Sequence, residues 1–213
     1  MNGKRKIFCG ALLIVAFALW TVLVRIVDVE ASGPHGSLVG FATLNTLVHN
    51  ALGVHMWLYT VTDWLGLVPI AVALGFAILG LCQWIKRKHI SRVDRDILAL
   101  GAFYIIVICV YVIFEYVVIN YRPVLINGAL EVSYPSSTTM LVMCVMPTAV
   151  MQMRARIKNK TVRAFVCAVL VLFTLFMVIG RLVSGVHWLS DIIGGVLVSA
   201  GLCLSYKGAC RLL

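Results

Sequence analysis

The chain has 213 residues, of which 62% are hydrophobic and 12% charged, and its mean hydropathy is +1.03. Soluble domains of this length do not have such a composition, so the sequence excludes a soluble enzyme and predicts an integral membrane protein. The formal net charge of +10 comes from basic residues at the edges of apolar runs. This placement indicates membrane topology and no nucleic acid partner.

The first apolar run, residues 7–27, follows the basic residues Lys4, Arg5 and Lys6. Secretory signal peptides share this order, but the run is long enough to cross a bilayer, which takes about 20 residues. No clear small-residue cleavage site follows, so we expect an uncleaved first transmembrane helix. The next segment, residues 38–64, interleaves apolar residues with Asn, His and Asp. This pattern predicts an amphipathic segment at the membrane interface.

Five more apolar runs follow, separated by short polar or charged loops. They predict membrane spans at residues 65–85, 97–119, 136–153, 161–179 and 187–206. The predicted fold class is therefore all-α, a polytopic membrane helix bundle with six transmembrane helices plus the interfacial amphipathic segment. Residues 1–213 are expected to form a single membrane domain.

The basic residues are distributed unevenly between the two sides of this predicted bundle. Six spans place both termini on one side, and 15 of the 18 Lys and Arg residues fall there. The exceptions near the opposite side are Arg25, Arg122 and Arg181. The positive-inside rule therefore predicts a multi-pass protein of the cell membrane with cytoplasmic termini.

The stretch 180–191, GRLVSGVHWLSD, concentrates ionisable side chains in a chain that is otherwise mostly apolar. His187 and Asp191 are four residues apart, which on a helix places both on one face. The Asp can accept a hydrogen bond from one ring nitrogen and leave the other nitrogen free. Arg181 carries a fork of donors that suits phosphate.

The predicted topology brings residues from three separate stretches to the outer face: Arg122, Ser136, Arg181 and His187. Ser136 and Ser137 begin the fourth span, where free helix amides favour an anion. Two arginines, a helix N-terminus and an oriented histidine suit phosphoryl transfer through a phosphohistidine. No cluster of carboxylates is available to hold a metal ion, so we predict neither a metal nor another cofactor.

At these positions the sequence resembles the type 2 phosphatidic acid phosphatases, which share their site with vanadium haloperoxidases. The signature of that family has three parts: Lys-x6-Arg-Pro, Pro-Ser-Gly-His and Ser-Arg-x5-His-x3-Asp. The corresponding stretches are EYVVINYRP (residues 115–123), PSST (135–138) and GRLVSGVHWLSD (180–191). The resemblance covers roughly residues 97–206, and its third part is the most specific.

The resemblance implies that His187 is the nucleophile and that Asp191 orients it. It also implies phosphate binding, with the Ser137 amide in place of a Gly amide, by Arg122, Ser136, Ser137 and Arg181. Three motif positions depart from the family pattern. Glu115 replaces the phosphate-binding Lys, Thr138 replaces the His that protonates the leaving group, and Gly180 replaces a Ser.

These departures have unequal consequences for catalysis. Thr138 is too weakly acidic to act as a general acid, a role that contributes about 10²–10⁴-fold in rate. A diphosphate leaving group would suffer least from this loss. Two alternatives are open for Glu115: it pairs with Arg122 or Arg181, or it is protonated beside the phosphate and donates a proton.

The sequence therefore supports two functions. The first is a metal-independent phosphoric monoester or diphosphate hydrolase, acting on a lipid phosphate at the outer leaflet. Its substrate would be a polyprenyl diphosphate, phosphatidate, phosphatidylglycerol phosphate or a similar lipid. The second is a catalytically impaired relative that binds or moves phospholipid without hydrolysis. The intact His187 and Asp191 favour the first function, whereas Glu115 and Thr138 favour the second.

Overall fold

A computed structural model describes residues 2–212, and these residues form eight α-helices and no β-sheet. In chain order the helices are α1 (Gly3–Ile26), α2 (Ala42–Leu52), α3 (Met56–Leu65), α4 (Leu67–Arg87), α5 (Arg95–Tyr116), α6 (Ser137–Arg156), α7 (Lys160–Val183) and α8 (Leu189–Ala209). The predicted all-α membrane helix bundle is confirmed.

Five stretches of the described chain are long and apolar enough to cross a membrane: α1, the continuous stretch Met56–Arg87, α5, α7 and α8. The fourth predicted span corresponds to α6, which is less apolar than these five stretches and is not among them. Its 20 residues make a helix of about 30 Å. Six spans is therefore an approximate count, with α6 as the long but more polar helix.

Two polar side chains of α6, Thr148 and Gln152, are buried inside the bundle, where α6 itself and a neighbouring helix supply hydrogen-bond partners. The Thr148 hydroxyl donates to the Cys144 carbonyl at 2.9 Å. The Gln152 side chain donates to the Tyr206 hydroxyl on α8 at 3.1 Å. Since α6 packs against α7 and α8, protein surrounds most of it. A helix in this position tolerates polar residues that a lipid-facing helix would not.

Helices α1 and α8 make the most extensive contact in the bundle, and small residues allow it. A Cβ added at Gly10 would lie 2.3 Å from the Ser205 Oγ and 2.8 Å from the Gly201 carbonyl oxygen. Such close approach of two backbones is typical of membrane helix pairs. The contact fixes α8, whose first turn carries Asp191.

The predicted interfacial segment, residues 38–64, forms two short helices, α2 and α3, with Gly53 between them. Asn45 of α2 is buried and ties this segment to α8. It donates to the Ser190 Oγ at 2.9 Å and accepts from the Ser190 amide at 3.1 Å. The α3 helix continues into α4 through Gly66. Both short helices therefore fold onto the end of the bundle where α8 begins.

The loop between α5 and α6 folds back on itself through a tight turn. Asn127 and Gly128 have positive φ angles of 51° and 78°, as two-residue hairpin turns require. Antiparallel bridges flank the turn, and the Arg122 amide donates to the Glu131 carbonyl at 2.9 Å. The helix α5 ends at Tyr116, earlier than the predicted end at residue 119, and Arg122 lies on this loop as the sequence predicts.

Candidate active site

The predicted site residues meet at one end of the bundle. Arg181 is in the last turn of α7, His187 precedes α8, Asp191 is in its first turn, and Arg122 is on the α5–α6 loop. The relative exposures of Arg181, His187 and Asp191 are 1%, 3% and 0%. Ionisable side chains buried this deeply need partners, so their contacts define the site.

Asp191 is held by backbone and side-chain donors around the N-terminus of α8. Its Oδ2 accepts from the Trp188 amide at 3.0 Å, and its Oδ1 accepts from the Asn120 side chain at 3.3 Å. The His187 Nδ1 lies 3.6 Å from Asp191 Oδ2, a contact slightly longer than a hydrogen bond. The carboxylate is therefore fixed and faces the imidazole ring.

The predicted proximity of His187 and Asp191 is thus observed, but the predicted reason for it is wrong. The helix α8 begins at Leu189, so His187 lies outside it. The two side chains meet because the Asp191 carboxylate accepts from the free amide of Trp188. This hydrogen bond turns the carboxylate back toward His187. Helical i, i+4 spacing is not what joins the two side chains.

Both arginines contact the other nitrogen of the His187 ring. Arg122 Nη1 lies 3.2 Å from His187 Nε2, and Arg181 Nη2 lies 3.4 Å from it. Guanidinium nitrogens only donate, so Nε2 accepts and carries no proton. The ring proton therefore resides on Nδ1, which faces Asp191. Burial, reinforced by the two guanidinium charges, lowers the pKa of His187 well below its ordinary value.

Each arginine also has a carboxylate partner. Arg122 Nε lies 3.0 Å from Glu131 Oε2, and Arg181 Nη1 lies 3.5 Å from Asp63 Oδ1. The guanidiniums thus reach His187 from two directions while their outer sides face acidic groups. The arrangement leaves Nε2 between two positive forks, which suits an anion with several oxygen atoms.

The two serines of the second motif occupy different environments. Ser136 is fully buried, and its Oγ accepts from the Thr139 amide at 3.5 Å as the N-cap of α6. Its own amide donates to the Asp191 carbonyl at 3.2 Å. Ser137 lines a cleft together with His187 and Glu115. The α6 N-terminus is therefore next to the imidazole, with Ser137 as the serine on the cleft surface.

The three departed positions lie in different places around the site, and Gly180 is the buried one, in the last turn of α7. Glu115 is exposed in the last turn of α5 and lines the cleft that includes His187. It is not seen paired with Arg122 or Arg181 in the part of the chain that the structure describes. Thr138 lies beside Gly66, where an added Cβ would be 3.7 Å from its Cγ2.

The helix α3 contributes site residues that the sequence did not predict. Tyr59 contacts both arginines, and Thr62 and Asp63 contact Arg181. The sequence contained one usable signal, because an ionisable Asp63 in an apolar run is a functional candidate. The spacing of the three residues also places them on one helix face.

Comparisons with known proteins agree with this architecture. A model of the PAP2 superfamily matches residues 96–208. The chain is also similar to the crystal structure of the first transmembrane PAP2 type phosphatidylglycerolphosphate phosphatase from Bacillus subtilis, with a TM-score of 0.59 and 18% identity over 94% of each chain. At this identity the likeness establishes a shared fold. A search of curated protein sequences found no match.

Proposed function

Since the chain belongs to the PAP2 superfamily, we propose that it hydrolyses a lipid phosphate or diphosphate through a phosphohistidine intermediate formed at His187. The observation that carries this proposal is the convergence of Arg122 and Arg181 on His187 Nε2. An unprotonated ring nitrogen between two phosphate-binding forks is the arrangement that nucleophilic attack on phosphorus requires.

The reaction follows from the contacts of the ring. Nε2 attacks the phosphorus atom and the bond from phosphorus to the leaving oxygen breaks, while the arginines hold the oxygens of the transferring group. The leaving oxygen takes up a proton from solvent or from a nearby acid. Asp191 faces Nδ1–H and stabilises the positive ring that forms. Water then attacks phosphorus and the bond from phosphorus to Nε2 breaks, which releases inorganic phosphate with both protons of the water and restores the neutral imidazole. Neither step requires a metal ion or another cofactor.

An assay of phosphate release from a panel of lipids tests this proposal, with the purified full chain in lipid nanodiscs. Phosphatidate, phosphatidylglycerol phosphate and a polyprenyl diphosphate are offered separately, with a chelator present, and released phosphate is measured. We expect release from at least one of these lipids. Absence of release from all three would contradict the proposal and would favour the impaired relative.

A catalytically impaired relative that binds or moves phospholipid is the second candidate. The observation in its favour is Thr138, which stands where the resembled motif has a proton donor and which lies beside Gly66. A protein of this kind would bind lipid phosphates or transfer fluorescent phospholipid between leaflets while releasing no phosphate. Measuring both activities on one preparation separates the two candidates.

Glu115 is the residue that we propose as a partial substitute for the missing acid. Glu115 lines the same cleft as His187. Among residues 2–212, no ion pair of Glu115 with Arg122 or Arg181 is seen that would keep its carboxylate from donating a proton. We expect Glu115→Gln to lower turnover of a monophosphate lipid about 10- to 100-fold, with a smaller effect on a diphosphate lipid. The measurement is the pH–rate profile on both substrates.

Glu30→Gln provides the matched control, because Glu30 is an exposed glutamate in the loop after α1. Full activity of Glu115→Gln on both lipids, with an unchanged profile, would eliminate the surrogate acid. In that case Glu115 would act only as a repulsive charge. The double variant Glu115→Lys, Thr138→His would then release phosphate faster than the wild type.

We also propose that the site faces the outside of the cell and that the termini are cytoplasmic. The uneven distribution of Lys and Arg supports this orientation. Single cysteines replacing Ser32 and Ser91, in a variant that lacks the native cysteines, report on the two sides. A membrane-impermeant maleimide should label residue 32 on intact cells and residue 91 only after lysis. Labelling of residue 91 on intact cells would reverse the orientation.

A further inference from the structure

The ring of Tyr59 on α3 lies against both arginines of the site. The Arg181 Cζ is 5.0 Å from the ring centroid, and the Arg122 Cζ is 5.9 Å from it. Both distances are within the range of a cation–π contact. Two guanidiniums that converge on one imidazole repel each other, so a shared aromatic face offsets part of that repulsion.

Thr62, one turn further along α3, contacts Arg181 from the same side. It is fully buried, and its hydroxyl donates to the carbonyls of Leu58 and Tyr59 at 2.9 and 3.0 Å. Because its proton is committed to these carbonyls, its oxygen presents a lone pair to Arg181 Nη1, which lies 3.4 Å away. Thr62 therefore holds one branch of the guanidinium in a set direction.

Gly180 is what allows α3 to come this close to α7. A Cβ added at Gly180 would lie 2.8 Å from the Thr62 Cγ2, so close that one of the two atoms would have to shift. This is the position at which the resembled motif has a Ser. The space beside the backbone of residue 180 is occupied here by a side chain from α3, which brings its own hydroxyl to Arg181.

We propose that Tyr59 and Thr62 are positioning residues that hold the guanidiniums of Arg122 and Arg181 in the geometry that binds phosphate. The inference deepens the proposed function and rests on it for the identity of the ligand. Both residues lie outside the region 96–208 that matches the family model. The exposed Asp63 adds little, because solvent screens its charge.

The test measures binding of inorganic phosphate to the purified full chain in nanodiscs by calorimetry. Tyr59→Leu removes the aromatic face, and its dissociation constant for phosphate should rise about tenfold. Tyr59→Phe keeps the face and should stay within about twofold of the wild type. Tyr116→Leu is the matched control, because Tyr116 is 83% exposed at the end of α5. Equal phosphate affinity of Tyr59→Leu and the wild type would overturn the proposal.

Variants of Thr62 test the proposal independently, also in the case that Tyr59→Leu does not fold. Thr62→Val keeps the shape and loses the oxygen, so its dissociation constant should rise about threefold to tenfold. Thr62→Ser keeps the oxygen and should bind phosphate like the wild type. Weak binding by Thr62→Ser together with normal binding by Thr62→Val would show that packing and not the hydroxyl matters, which also overturns the proposal.

A double-mutant cycle tests the link between Thr62 and Gly180. Gly180→Ser alone should weaken phosphate binding, because its side chain meets Thr62. Thr62→Ala alone should weaken it by loss of the hydroxyl. The double variant should bind better than either single variant, since a Ser at position 180 then has room and provides a hydroxyl. Additive losses would contradict the link.

The binding measurement separates this inference from the proposed hydrolysis. A chain that cleaves none of the lipids but loses phosphate affinity on Tyr59→Leu would contradict the proposed function and support the inference. In the opposite case, the wild type and Tyr59→Leu cleave lipid phosphate equally well and bind phosphate with equal affinity. That result would support the proposed function and contradict the inference. A wild type without measurable phosphate affinity would overturn the inference.

Discussion

Replacing His187 by Ala should abolish phosphate release, with turnover falling about 10⁴-fold or more, as expected when a covalent nucleophile is removed. The loss should appear in turnover and not in phosphate binding, because the guanidiniums of Arg122 and Arg181 remain. A rapid quench in base should trap a phosphoramidate on the wild-type protein and none on the variant. His89→Ala is the control, since His89 is exposed in the loop before α5.

One outcome would contradict the role of His187, and another would call for a different variant. Unchanged phosphate release by His187→Ala would exclude the phosphohistidine route. Loss of inorganic phosphate binding together with activity would show that the variant lost the site and not only the nucleophile. In that event the neutral analogue His187→Gln, which preserves more of the side-chain volume, would replace Ala in the same measurements.

Asp191→Asn should lower turnover about 10²–10⁴-fold while leaving the phosphate dissociation constant nearly unchanged. The carboxylate accepts from the Trp188 amide and the Asn120 side chain and faces His187 Nδ1. An amide of the same shape can present its NH₂ to the ring and so favours a proton on Nε2, the nitrogen that must attack. The Asn side chain also leaves the positive ring of the intermediate without a counter-charge.

Ser199→Ala controls for the loss of a buried polar group in α8. The Ser199 hydroxyl donates to the Met140 carbonyl at 3.2 Å and does not contact the site residues. Turnover of Asp191→Asn within about threefold of the wild type would refute the orienting role. A fall in Ser199→Ala as large as that in Asp191→Asn would attribute the effect to helix packing.

The residues around His187 could be found from sequence because short motifs contain them. Arg181, His187 and Asp191 lie within one stretch of twelve residues, and their chemistry is recognisable without the fold. The geometry was less accessible. The sequence pattern does not indicate that α8 starts at Leu189, so it predicts helical spacing where the structure has a cap formed by Asp191.

The contribution of α3 could not be predicted in the same way. Thr62 and Arg181 are 119 residues apart in sequence, and no local pattern joins them. The interleaved polar residues of segment 38–64 showed that one side of it avoids lipid. Such a pattern does not distinguish a side that meets headgroups from one that meets polar groups of the protein. The helix α6 gives a second example, because its buried polar residues face other helices of the protein and not the headgroups.

The pairing of α1 with α8 has a consequence for how the protein is made. The helix α1 is made well before α8, yet its glycine-lined side packs against α8, and the Trp20 side chain of α1 donates to the Ser190 carbonyl at 3.1 Å. During synthesis α1 must therefore wait in the bilayer until some 180 further residues have been inserted. A nascent chain that ends with α7 at Val183 contains Arg122 and Arg181 but neither His187 nor Asp191, so the site is assembled only after α8 has been made.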